Sequence, residues 1–96
     1  MAWRHAESLP IGEQALALAR ELGAGQAEVR ALTVLGGDLA YLGRGEEGVT
    51  HFRQAVQLAG EIGDHLGLER AYTHFTDALT MLGDGSGNRR GWGRRG

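Results

Sequence analysis

VRALTVLGGDLAYLG (residues 29–43), RGEEG (44–48) and VTHFRQAVQLAGEIG (49–63) follow one another in the chain and read as helix, glycine turn, helix. In the first segment Val29, Leu32, Leu35, Leu39 and Leu42 recur at three- and four-residue steps. That spacing gathers side chains on one side of an α-helix. In the last segment Val49, Phe52, Ala55, Val56, Ala59 and Ile62 make a wider apolar stripe, extended by Leu58. Such width suits a helix packed on two sides. Glu46 and Glu47 open that helix, where carboxylates complement the helix dipole. Gly43 and Gly63 stand just past the last apolar residue of each run. A residue without a Cβ takes the left-handed conformation there at no steric cost and stops the helix.

Working outward, the same stop signal recurs every 20 residues, as Leu22-Gly23, Leu42-Gly43, Ile62-Gly63 and Leu82-Gly83. Four stops predict four helices, over 10–22, 26–42, 46–62 and 66–82. The full repeat is 40 residues: aligning 6–43 with 46–83 gives thirteen identities in 38 pairs, among them Arg30/Arg70, Thr33/Thr73 and Gly23/Gly63. Ser8 and Pro10 suit the start of the first helix, whose apolar stripe is Ile11, Ala15, Leu18, Ala19 and Leu22. The fourth helix aligns Leu68, Ala71, Tyr72, Phe75, Leu79 and Leu82. Connections of a few residues make successive helices antiparallel neighbours. No stretch carries a strand signal. The expected organisation is a linker over 1–8, an all-α domain of stacked helix hairpins over 9–84, and a disordered Gly/Arg-rich tail over 85–96.

The chain has 96 residues and no cysteine, which excludes disulfides and thiolate metal sites. The first ten residues contain no apolar run of signal-peptide length, and no run approaches a membrane span. A cytoplasmic protein without a membrane partner is the expectation. The net charge of −2 divides unevenly: residues 1–84 hold six arginines against twelve acids, and 85–96 hold four arginines and no acid. Gly43-Arg44-Gly45-Glu46-Glu47-Gly48 fits G-x-G-x-x-G, but a helix precedes it where a dinucleotide fingerprint needs a strand, and two glutamates would oppose a pyrophosphate. It reads as an inter-helix turn. His5, His51, His65 and His74 share no metal-ligand spacing. Asp84, Ser86 and Asn88 open like a calcium loop, but Arg95 stands where the bidentate glutamate belongs. Gly36-Gly37 in mid-helix reads as a close-packing site. No catalytic set, cofactor site or metal site emerges, and the chain is expected not to be an enzyme.

Leu35-Gly36, Gly43, Gly48, Phe52, Ala55 and Leu58 make residues 29–63 resemble a tetratricopeptide repeat, in a long form of 40 residues. Phrases such as LAYLGRGEEG and QAVQLAGEIGD are similar to repeats in large ATP-binding bacterial transcriptional regulators of the LuxR type. The resemblance covers roughly residues 9–83 and implies a short α-solenoid that binds a protein or peptide partner along the groove lined by the first helix of each repeat. Carried over to this chain, the groove residues are Arg30, Thr33, Gly37 and Tyr41 on the second helix, and Arg70, Thr73, Asp77 and Thr80 on the fourth. A helical wheel also gathers the first four opposite the apolar side. Only one repeat is complete, so the chain reads as a fragment of a regulator or as a domain that self-associates through the fourth helix, at Tyr72 and Phe75. Weak nucleic-acid binding through Arg89, Arg90, Trp92, Arg94 and Arg95 is the remaining alternative; nucleic acid is not the expected partner.

Overall fold

The computed structural model describes residues 2–86, with side chains from 5 to 82. Four helices follow one another: α1 (Ala2–Leu22), α2 (Gly25–Tyr41), α3 (Gly45–Ile62) and α4 (His65–Ser86). No strand occurs among the described residues. The all-α stack of antiparallel hairpins is therefore the fold, and the residues of the tail from 87 onward lie outside the described residues.

The three connections share one construction. Gly23, Gly43 and Gly63 have φ of 67°, 84° and 71°. The next residue's amide then reaches back five positions: Ala24 N–H to Ala19 O at 2.9 Å, Arg44 to Leu39 at 2.8 Å and Asp64 to Ala59 at 2.9 Å. These are Schellman turns, which satisfy carbonyls that a helix end leaves free. The same residues start the following helix, since Ala24, Arg44 and Asp64 carbonyls accept from Glu28, Gly48 and Leu68. Asp64 adds a side-chain cap, its Oδ1 accepting the Gly67 amide at 2.9 Å.

α2 and α3 make the tightest pair. The ring of Phe52 lies over Gly36, so that a Cβ there would meet it at 2.9 Å; a Cβ on Gly48 would stand 2.7 Å from the Gly36 carbonyl oxygen and 3.2 Å from Ala40 N. Gly36 is thus a close-packing glycine. Gly37 has nothing within 4 Å of its missing Cβ, and packing does not explain it. Phe52 is fully buried with Val29, Leu32 and Leu35, each worth about 1.5–3 kcal/mol in burial. Phe52 also stacks on Phe75 of α4, centroids 5.3 Å apart. In the 40-residue register this pair repeats as Gly12 against Leu35, where α1 meets α2.

Three boundaries and faces differ from the sequence expectation. Residues 2–8 are helix, not linker: α1 runs through Pro10. Gly83 does not stop α4, which continues to Ser86 and so takes in the first two residues assigned to the tail; glycine permits a left-handed turn without imposing one. Of the stripe assigned to α1 only Ala19 is buried; Ala15 is exposed, and Ile11, Leu18 and Leu22 stand at 68%, 53% and 70% exposure. α1 is apolar on two sides, and its contacts to other helices are with α2 alone. The buried side is Gly12, Leu16 and Ala19. On α4, Phe75 is half-buried against Phe52 while Tyr72 is exposed, so only Tyr72 of that expected pair is open.

The glycine contacts make a direct prediction. Gly48→Ala should destabilise the fold by about 1–3 kcal/mol through overpacking against backbone, despite a gain of about 1 kcal/mol in helix propensity. Gly60→Ala, with nothing within 4 Å, should stabilise by about 0.5–1 kcal/mol. Urea unfolding of both variants checks the sign of each.

Candidate functional site

A cavity of about 420 Å³ opens between α2 and α4. From α2 it is lined by Gln26, Val29, Arg30, Thr33 and Val34; from the start of α4 by Asp64, Leu66, Gly67, Arg70 and His74. The two helices run parallel here, because α3 reverses the chain between them. Three pairs of residues 40 apart line this one cavity: Gln26 and Leu66, Arg30 and Arg70, Val34 and His74. Two exposed guanidiniums flank one cavity, and among the described residues neither forms an ion pair. The one carboxylate on the wall, Asp64, is committed to the α4 amide of Gly67. Walls of mixed polarity with two bidentate donors suit a carboxylate-bearing ligand.

Of the eight groove residues expected from sequence, the cavity gathers Arg30, Thr33 and Arg70. Thr33 is buried, its hydroxyl donating to Val29 O at 2.9 Å, and Thr73 donates likewise to Glu69 O at 2.9 Å. Both hydroxyls are spent inside their own helices. Gly37 is half-buried beyond the lined stretch; Thr73, between Arg70 and His74, and Asp77 and Thr80 farther along α4 are exposed and do not line the cavity. Tyr41 is drawn elsewhere: its ring stacks on His5 of α1 at 4.1 Å, nearly parallel at 12°. Tyr41 therefore belongs to the α1–α2 contact, not to the cavity. The sequence reading missed Gln26, Val34, Asp64, Leu66, Gly67 and His74, and it placed Val29 on the opposite, apolar side of α2. The register that paired Arg30 with Arg70 also pairs Gln26 with Leu66 and Val34 with His74, and following it would have found those four; Asp64 and Gly67 have no lining partner in that register.

The second polar cluster ties α1 to α2. Asp38 is 5% exposed, and its Oδ1 is 2.7 Å from His5 Nδ1. The direction of this hydrogen bond follows the histidine tautomer. Asp38 Oδ2 is buried with no hydrogen-bond partner. The contact anchors the first turns of α1. It belongs to folding, since the stacked Tyr41 ring and the buried carboxylate leave no free nucleophile or open face.

The G-x-G-x-x-G stretch is an inter-helix turn. Gly43 ends α2, Gly45 abuts Leu82 and Gly48 abuts Gly36. Arg44 grips Glu47 through two bonds, Nε to Oε1 at 2.6 Å and an Nη to Oε2 at 2.8 Å. The hydrogen bond from Arg44 lowers the Glu47 carboxyl below its ordinary range. A lowered carboxyl supports the fold above its unfolded pKa, and that support is lost as pH falls through the lowered value. The pair is fully exposed and salt screens it.

No family model, curated protein or solved structure matches this sequence.

The His5–Asp38 contact makes a double-mutant prediction. His5→Ala strands a buried carboxylate and should cost about 1–3 kcal/mol. His5→Ala added to Asp38→Ala should cost markedly less than His5→Ala alone, because the buried charge is gone. Thermal unfolding of the three variants measures the coupling, and full additivity would contradict it.

Proposed function

We propose that this chain is a non-enzymatic protein–protein interaction module whose α2–α4 groove seats an acidic segment of a partner protein. The observation that carries the reading is the placement of Arg30 and Arg70 on the wall of one cavity, exposed and without ion pairs among the described residues. A guanidinium presents a planar fork that matches a carboxylate, and two in register along parallel helices match two acids along a peptide. Leu66 and Val34, both exposed large apolar residues on the same walls, add surface for the intervening side chains. The resemblance of residues 29–63 to a tetratricopeptide repeat supports the same reading, since the second and fourth helices then correspond to the groove-lining ones. In that reading the chain works in the cytoplasm, as part of or derived from a signalling or transcriptional regulator of LuxR type. No helix among the described residues is long and apolar enough to cross a membrane, which agrees with an aqueous partner.

Fluorescence anisotropy with a labelled Glu/Asp-rich peptide tests the groove. Arg70→Ala should weaken binding by roughly ten- to a hundredfold, the loss of one charge-assisted pair. Tyr41→Ala should leave it unchanged. Binding that is insensitive to Arg70, or that does not weaken with added salt, would remove the groove from consideration.

A further inference from the structure

We infer that His74 makes the α2–α4 groove a pH-dependent binder, one that holds an acidic segment more tightly as the imidazole takes up a proton. The inference rests on the reading of that groove as the seat of an acidic segment. His74 lines the cavity together with Arg30 and Arg70. It stands one helical turn past Arg70 on α4, so the two side chains share a side of that helix. Forty residues earlier, the corresponding wall position on α2 is Val34. One wall is therefore ionisable where the other is apolar.

Two observations separate His74 from the other histidines. The first is freedom. His5 is engaged by Asp38 at 2.7 Å, and His51 Nδ1 lies 2.8 Å from the Glu47 carbonyl of its own helix. His74 is exposed and forms no ion pair among the described residues. His65, also exposed, does not line the cavity. The second is charge. The wall carries two cations, Arg30 from α2 and Arg70 from α4, and one anion, Asp64, from the turn before α4. α3 packs against α4 but contributes nothing to the lining, and Asp77, a turn beyond His74, is exposed outside it. The net charge of the wall is thus that of one cation while the imidazole is neutral, and protonation doubles it. Histidine is the side chain that ordinarily changes charge between about pH 5 and 8. Carboxylates on a ligand ordinarily titrate near about 4 and stay ionised through most of that window. Across it only the protein gains charge. Affinity for an acidic segment therefore rises as pH falls, and by the reciprocity of linked equilibria the bound segment draws a proton onto His74.

Fluorescence anisotropy with the labelled Glu/Asp-rich peptide, its termini blocked, tests this at about pH 8 and about pH 5.5. Wild-type affinity should rise about two- to fivefold at the lower pH, the range of an exposed charge pair. His65→Gln should show the same rise. His74→Gln and His74→Arg should each bind with an affinity that does not change between the two conditions, and His74→Arg should bind more tightly than His74→Gln in both. Calorimetry at about pH 6.5, in two buffers of different ionisation enthalpy, should show net proton uptake on binding by the wild type and none by His74→Gln. His74 is exposed, so both substitutions keep the fold, which circular dichroism at both pH values establishes. A wild-type affinity that is flat with pH, or a rise or proton uptake that survives His74→Gln, overturns the inference. Binding that depends on Arg70 but not on pH overturns it and leaves the groove standing; no binding at either pH overturns both.

Discussion

Everything in this molecule is positioned by how closely α2 and α3 approach. Gly36 and Gly48 bring one backbone against the other, and the Phe52 ring fills the only gap the missing side chains leave. Dense packing of this kind transmits position, because interdigitated side chains do not deform continuously. Phe52 touches α4 through Phe75 as well as α2 through Gly36. One side chain therefore fixes the spacing between α2 and α4. That spacing is the width of the cavity, and it sets how far apart Arg30 and Arg70 stand.

The number of helices and their turns were legible because the stops are chemical. Gly23, Gly43 and Gly63 hold left-handed backbone, and the apolar residues before each run at helical spacing. The true start of α1 was not legible. Pro10 suits a first turn and so suggests a helix beginning there. What carries the helix back to Ala2 is a contact 33 residues away, His5 with Asp38, reinforced by Tyr41. Periodicity reports local preference and is silent about such pairs. The same contact explains why Tyr41, which lies on the groove side of a helical wheel, ends outside the cavity.

Which apolar face is buried was also beyond the pattern. α1 is apolar on two sides, and a wheel cannot rank them. The structure buries Leu16 and Ala19 and leaves Ile11, Leu18 and Leu22 open because α2 is its one neighbour. Arg30 and Arg70 were found by register, which would also have supplied Gln26 with Leu66 and Val34 with His74, but not Val29, Asp64 or Gly67. The candidate site was thus legible in its cations and obscure in its extent. Charge at a repeated position survives translation along the chain, while the length of a cavity depends on where each helix begins.

Identity and divergence between the two halves carry different information. Among positions kept at 40-residue spacing, Arg30 and Arg70 line one cavity. Positions that changed, such as Gly36 to Thr76 and Phe52 to Gly12, lie where helices meet. A packing interface tolerates a change in bulk on one side only if the facing side compensates. Gly12 has lost the ring that Phe52 carries, and Leu35 of α2 closes over it, 2.9 Å from where a Cβ would stand. The 40-residue step that aligns the arginines thus also aligns one packing pair, Phe52 on Phe75 and Gly12 under Leu35.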